Sequence, residues 1–302
     1  MSIKKACHDM RELEPWPNYF ELRSKELEIF LSVSHIVPQG TMLEIGCGNA
    51  FNACILAQSA DKVVATDLFR QSAETHSQGM RVAQECVKFL GVKNCILLSC
   101  AGEKLPFKNE TFDMIFSMYT LEHVSDRGQM LLEAKRILKK GGILILIVPS
   151  FMERLFYPFV FYAGLLVSFT AYLLGRKKIK DEGGSLGCNC SKRRNDSSFL
   201  IRFRKRYPHF PLPEPHGSYR NYFEEVRNSL PVSWKDICQK SGLEIVDSFS
   251  TMVVPKSLLD IFLGRMSFLV YKKLSWIDKK IGRNPFLKNF GCNICFILKR
   301  SA

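Results

Sequence analysis

The stretch Thr41-Met42-Leu43-Glu44-Ile45-Gly46-Cys47-Gly48-Asn49-Ala50 is a short apolar run that ends in a glycine pair and passes into a helical pattern. It reads as strand, tight turn, helix. Glycines at 46 and 48 let the backbone turn sharply and come close to a ligand, because a Cβ at either place would stand where the ligand lies. The pattern is GxGxA rather than GxGxxG, and a glycine pair alone also fits an ordinary strand-to-helix turn. The next strand supplies the second observation. Lys62-Val63-Val64-Ala65-Thr66-Asp67-Leu68 carries an acid 21 residues beyond Gly46, close to the ~20-residue offset at which a ribose-binding carboxylate follows a glycine-rich turn. Together the two stretches predict a site for a nucleotide-like ligand at the carboxyl ends of neighbouring parallel strands.

Outward from this point, strand and helix patterns alternate. An amphipathic helix is expected over 18–36, ending before Pro38-Gln39-Gly40. After the glycine turn the first crossover helix continues from Ala53 to Ala60, and a second runs from Ala73 to Leu90 with Gly91 as its stop. Strand three is Cys95–Cys100 and strand four Phe112–Met118. A helix from about Arg127 to Leu138, a turn at Lys140-Gly141-Gly142 and strand five, Ile143–Val148, follow. Such alternation is the mark of a parallel sheet covered by helices. Further on, Val232–Ser241 reads as a helix ended by Gly242, and Leu243–Asp247 and Asn293–Leu298 as strands six and seven.

Five of these features in order, Glu44-Ile45-Gly46-Cys47-Gly48, Asp67, Leu105-Pro106-Phe107 before Phe112-Asp113, Leu121-Glu122-His123-Val124 and Lys140-Gly141-Gly142, resemble the class I S-adenosylmethionine-dependent methyltransferases over about residues 40 to 150. The resemblance implies a Rossmann-like α/β sheet of seven strands, the last antiparallel, with helices on both faces. It implies S-adenosylmethionine as cofactor, with Glu44, Gly46 and Gly48 at its methionine part, Asp67 on the ribose and Leu68 beside the adenine. Cys47, Gly102, Glu103 and Ser117 complete the implied cofactor set. Where the family has an acid followed by Ala, this chain has Ala101-Gly102, so the adenine amino group falls to Glu103 or to backbone.

Methyl transfer from a sulfonium asks little of side chains beyond holding the nucleophile ~3–3.5 Å from the methyl carbon in a dry site. A base is optional. His123, in the loop after strand four, and His216, in Pro213-Glu214-Pro215-His216-Gly217-Ser218-Tyr219, are the candidate catalytic residues, since an imidazole can take a hydroxyl proton at neutral pH. Each also has a plain structural reading, as a helix-capping or a solvent-exposed loop histidine.

The 302 residues are 46% apolar, enough for one large α/β domain with insertions or two small domains. The reading divides them into a cofactor-binding core over 1–150, an apolar and basic insertion over 151–228, and a completion of the sheet over 229–302 that contains a second insertion at about 255–290. Met1 to Pro17 is polar, so a cleaved secretory signal is not expected. The odd count of 11 cysteines argues for free thiols in a reducing compartment. Cys292 and Cys295, on a strand, are expected to face opposite ways, and no metal site is expected.

Charge is segregated. Residues 1–150 hold 17 Lys and Arg against 17 Asp and Glu, whereas 151–302 hold 26 against 12, so the whole excess of +14 lies in the second half. An anionic partner for that half follows. Leu155 to Gly175 is 21 residues without a charge, followed by Arg176-Lys177-Lys178-Ile179-Lys180, and at ~1.5 Å per residue it is long enough to cross a ~30 Å hydrocarbon core. A simple crossing would put strands six and seven on the wrong side from strands one to five. The segment is therefore expected to lie in the membrane plane or re-enter, bent at Pro158 and Gly164, or else to be a buried helix. Ser257 to Ile281 has a basic amphipathic pattern, and Asp181 to Asp196 reads as a mobile loop. The basic and aromatic cluster Arg202, Phe203, Arg204, Lys205, Arg206 and Tyr207 fits a lipid phosphate better than nucleic acid, which is not an expected partner. The expectation is a methyltransferase at the cytosolic membrane face whose acceptor is a lipid, a quinone-like ring or a polyprenyl-linked sugar. The alternatives are a soluble small-molecule methyltransferase with an apolar lid, and a membrane scaffold without chemistry.

Overall fold

A computed structural model describes residues 19–69, 79–173, 211–252, 267–284, 286 and 288–300. The loop expected at 181–196, the cluster at 202–207, Arg176 to Lys180, the cysteines at 7, 188 and 190, and residues 253–266 of the second insertion lie outside the described residues.

In chain order the elements are α1 (Tyr19–Ser34), β1 (Thr41–Ile45), α2 (Phe51–Leu56), β2 (Lys62–Asp67), α3 (Gly79–Leu90), β3 (Cys95–Ser99), β4 (Phe112–Met118), a 3-10 turn Leu121–His123, α4 (Arg127–Ile137), β5 (Leu138–Pro149), α5 (Phe151–Leu173), α6 (Tyr222–Asn228), α7 (Pro231–Lys240), β6 (Glu244–Thr251), α8 (Ser267–Leu274), α9 (Trp276–Ile281) and β7 (Asn293–Lys299). The seven strands form one sheet in the order β3-β2-β1-β4-β5-β7-β6. Strands β1 to β5 pair in parallel, and β7 runs antiparallel between β5 and β6. This is the Rossmann-like methyltransferase sheet with its last strand antiparallel.

Why the central strands read as continuous apolar runs is clear from their two faces. On β5, Ile145 and Ile147 enter one core while Leu144, Leu146 and Val148 enter the other, and on β7 Cys295 and Ile297 alternate in the same way with Ile294, Phe296 and Leu298. A strand buried on both sides has no polar face to show. Helix α1 packs Leu27, Ile29, Phe30 and Val33 into the first core, and α4 packs Met130, Leu131, Ala134 and Ile137 into the second.

Three local expectations are corrected. Helix α2 ends at Leu56 rather than at Ala60, because Asn94 Nδ2 takes the carbonyls of Ala57 and Ala60 at 2.8 and 2.9 Å and the chain closes there into a tight turn. Lys140-Gly141-Gly142 is not a turn before β5 but a bulge inside it. The register passes from Phe112↔Leu138 to Met114↔Ile143, and the Gly141 amide and Gly142 carbonyl still bond Arg300 at 3.0 and 3.2 Å. Gly141 has φ +73° there, the left-handed conformation that glycine adopts without strain. Finally, Cys292 and Cys295 pack into the same core rather than on opposite faces, because Cys292 precedes the strand and escapes its alternation.

Helix α5 is continuous from Phe151 to Leu173, with Pro158 and Gly164 inside it. Among the described residues, no helix is long and apolar enough to cross a membrane. The eight described cysteines are all free.

Candidate active site

Strand β1 delivers the glycine turn to the carboxyl edge of the sheet. Gly46 adopts φ +76° and Gly48 φ +53°. A Cβ on Gly46 would lie 2.0 Å from Thr120 Oγ1, in the loop after β4, whereas one on Gly48 would meet nothing within 4 Å. Gly46 is thus required by a neighbouring loop, whereas at Gly48 the space is open and only the left-handed backbone favours glycine.

The amides of this turn are already used. Gly46 N and Cys47 N donate to the Thr66 carbonyl at 2.7 and 2.9 Å, and Gly48 N donates to Asp67 Oδ2 at 2.8 Å. Asp67 Oδ1 accepts from Phe69 N at 3.2 Å. A turn that receives phosphate points its N–H groups at the ligand; this one points three of them at its own chain. What it offers instead are acceptors. Glu44 is buried, its Oε2 has no hydrogen-bond partner, and Asn52 Oδ1 is likewise buried without one. Burial pushes the Glu44 carboxyl well above the usual carboxylate range.

The comparisons with known proteins fall on this region. The family model described as "Methyltransferase domain" matches residues 43–146. An uncharacterised methyltransferase, YcgJ of Bacillus subtilis, is 26% identical over 123 residues, covering 41% of this chain and 46% of its own. The 27-O-demethylrifamycin SV methyltransferase of Amycolatopsis mediterranei is 27% identical over 113 residues, 36% of this chain and 40% of its own. Residues 43–146 belong to the class I S-adenosylmethionine-dependent methyltransferase family. The chain spans less than half the length of such relatives, 40% of an uncharacterised Escherichia coli protein, YafE, being a further example. Among solved structures, the [4+2]-cyclase SpnF superposes with a TM-score of 0.51 at 14% identity, over 92% of this chain and 81% of its own. That likeness concerns the fold alone, and a cyclase on the same fold is a reminder that chemistry has to be argued from the site.

The residues of this methyltransferase domain fit S-adenosylmethionine. The cofactor brings an amino group and ribose hydroxyls, all donors, to a turn whose unmatched buried groups are the acceptors Glu44 Oε2 and Asn52 Oδ1 and whose Asp67 stands at the end of β2. Gly48 leaves the room that a side chain would fill. Asn52 was not legible in sequence, since an Asn one residue into a helix has no motif of its own. Leu68 is exposed beside Asp67, and a Cβ on Gly102 would lie 3.3 Å from the Ile45 and Met130 side chains. Two members of the implied set face inward. Ser117 is fully buried and donates to the Ile45 carbonyl at 3.1 Å, while Cys47 is buried and its thiol pushed up by burial. Both hold the sheet and the turn in shape.

The two candidate histidines, 93 residues apart in the chain, are brought together. The rings of His123 and His216 lie 4.7 Å apart, edge to face at 80°. Ser218 fastens the loop of His216 onto the 3-10 turn, its N–H donating to the Glu122 carbonyl at 2.9 Å and its hydroxyl to the His123 carbonyl at 2.8 Å. Gly217, at φ +91°, is packed so closely on that turn that a Cβ would lie 2.5 Å from the Glu122 oxygen. Beneath the loop, Glu122 is buried with Oε2 unpartnered, and its carboxyl is pushed up to about 7 by burial, with Arg154 and Arg127 pulling it down.

Tyr119 and its partners also went unread in the sequence. Asn293 Nδ2 donates to the Tyr119 hydroxyl, which lies 3.3 Å from Glu26 Oε1, and Glu26 Oε2 accepts from Arg23 at 2.6 Å. The Arg23 guanidinium lies 4.6 Å from the Tyr119 ring centre. This network ties α1 to β4 and β7, joining residues up to 270 positions apart, which no short motif encodes.

Proposed function

We propose that this chain transfers the methyl group of S-adenosylmethionine to an acceptor held at a lipid surface, a lipid, quinone-like ring or polyprenyl-linked sugar, at the cytosolic face of a membrane. The observation that carries the lipid part is the exposed face of α5. Leu155, Phe159, Tyr162 and Leu166 recur at i, i+4, i+7 and i+11 and are 46%, 67%, 43% and 64% exposed, an apolar stripe on a helix that starts two residues after β5 ends at the ligand edge of the sheet. Trp276 is exposed with Lys280 5.1 Å from its ring centre, the pairing of an interfacial helix on an anionic leaflet. The concentration of the whole net charge of +14 in residues 151–302 supports the same partner, and eight free cysteines among the described residues support a reducing side.

In this reading Asp67 takes the ribose hydroxyls, Glu44 and Asn52 take the amino group, and Gly48 admits the ligand. The sulfonium supplies an electrophilic methyl. His123, steered by His216, accepts the proton that a hydroxyl acceptor loses, and Tyr119 with Asn293 lines the acceptor side at the end of β4.

A second reading keeps the chemistry and replaces the membrane with a lid. Tyr162 donates to the Pro211 carbonyl, which draws α5 toward the loop of His216 and favours closure over a small acceptor. Flotation with phosphatidylglycerol and phosphatidylcholine vesicles separates the two. Recovery of the protein with vesicles in high salt, and its release by detergent, is expected. Incubating lipid extracts with protein and methyl-labelled cofactor should place label in the lipid phase; label in water-soluble products alone would favour the lid.

A further inference from the structure

We propose that the buried ion pair between Arg154 and Glu225 is the positioning device of the acceptor site, holding the His216 ring against His123 and tying that contact to the first turn of the apolar helix α5. The proposal rests on the reading of the two histidines as the proton-handling pair. It concerns residues that form no part of any methyltransferase motif in the sequence.

Glu225, on α6, is 1% exposed and divides its two oxygens between two elements. Oε1 lies 3.0 Å from Arg154 Nε, and Oε2 accepts from the His216 backbone N–H at 3.0 Å. Arg154, on α5, is buried as well. A second bond repeats the link, since the Tyr222 hydroxyl, one turn before Glu225, donates to the Arg154 carbonyl. The path from α5 to the ring pair therefore has two joints, Arg154 to Glu225 and Glu225 to His216.

Stability is a weak reason for such a pair. Two charges taken out of water regain in mutual attraction roughly what they lose in hydration, and apolar residues of similar volume often serve as well. Position is a better reason. Arg154 Nε and Glu225 Oε1 meet as opposite charges without a directed hydrogen bond, while the other Glu225 oxygen is fixed on the His216 N–H, and reacting groups misplaced by ~1 Å can lose about a hundredfold in rate. The next residue in α5, Leu155, begins the exposed apolar stripe. Whatever engages that stripe acts one residue from the joint.

The test needs no acceptor. In protein with ring-labelled histidine, the His123 and His216 signals are assigned with His123→Gln and His216→Gln, and their ring-to-ring cross-peaks are recorded in the wild type. Arg154→Met is expected to abolish those cross-peaks. Because a lone buried Glu225 can unfold the protein, the double variant Arg154→Met with Glu225→Leu is measured beside it; it removes both charges and should lose the cross-peaks equally. S-adenosylhomocysteine binding should stay within about twofold of wild type in the double variant, as for sites without shared contacts. Cross-peaks that persist in a double variant with retained S-adenosylhomocysteine binding overturn the proposal. Absence of cross-peaks in the wild type overturns it too. Loss of methyl transfer by His123→Gln bears on the proton-handling reading separately.

Discussion

Glu122 makes a buried carboxyl pay for being charged, and that cost can be read as stability against pH. Its carboxyl is pushed from an ordinary 4.5 to about 7 by burial. A raised value in the folded state means that the folded protein holds the proton more tightly than the unfolded chain between those two values. Stability is then greatest below about 4.5 and is lost as pH rises toward 7, at ~1.4 kcal/mol per pH unit. Glu122→Gln keeps the shape and removes the ionisation. Between pH 5 and pH 8.5, wild type should therefore lose roughly 2–3 kcal/mol more than Glu122→Gln. Glu26, Glu44 and Glu225 are also pushed up by burial, but they titrate in both proteins and cancel in the difference. Urea unfolding of the two proteins at both pH values measures it. A difference that stays flat to within about 0.5 kcal/mol, the usual additivity error, or that moves the other way, would refute the placement of Glu122 as a desolvated acid.

Gly46→Ala puts a Cβ 2.0 Å from Thr120 Oγ1 at φ +76° and should cost about 3 kcal/mol or more, seen as lost soluble expression or a collapsed unfolding midpoint. Gly48→Ala meets nothing, so it should fold with a loss of ~1 kcal/mol from its left-handed backbone yet bind S-adenosylhomocysteine at least tenfold more weakly, by calorimetry. Asp67→Ala should weaken S-adenosylhomocysteine by ~1–3 kcal/mol, because ribose hydroxyls lose their acceptor and Gly48 N its anchor. Phe159→Glu and Leu166→Glu together should abolish vesicle flotation while leaving S-adenosylhomocysteine affinity unchanged; flotation that survives would sink the apolar stripe of α5 as the contact surface.

The strands and the glycine turn were legible because their signals are local. Phe112–Met118 could be bounded from sequence to the residue, since its large apolar side chains, interrupted only by Asp113 and Ser117, follow the polar stretch Lys108 to Thr111. Boundaries failed where a group distant in sequence intervened: Asn94 ended α2, and Arg300, at the end of the neighbouring β7, pairs with Lys140-Gly141-Gly142 where β5 bulges. The same distinction governs the site. Asp67 follows its glycines by a fixed crossover length, so spacing finds it. Asn52, Glu225 and the network of Tyr119 with Asn293 and Glu26 are assembled by topology, and their chemistry appears only when the sheet is closed. His123 and His216 lie between these cases. Each was a candidate by its residue type and loop, but only the fold makes them neighbours.

The end of β4 divides the site. In the strand order β3-β2-β1-β4-β5 the chain leaves β1 in one direction and β4 in the other, and the crevice at such a switch point is where open parallel sheets bind their ligands. Tyr119, the first residue beyond β4, takes φ +54°, a conformation that costs a bulky side chain free energy and persists only where surroundings enforce it. Its hydroxyl goes to Asn293 and Glu26 on the β7 side, while the next residue, Thr120, sits on Gly46 on the β1 side. One strained residue thus sends consecutive side chains to opposite halves, one toward the cofactor turn and one toward the side proposed for the acceptor. Thr120 Oγ1 bonds the Ile45 carbonyl at 3.2 Å, so the two halves are locked in register. An acceptor placed against Tyr119 then has its distance from the glycine turn fixed by a single dipeptide, and the wall that sets this distance is built before either ligand arrives.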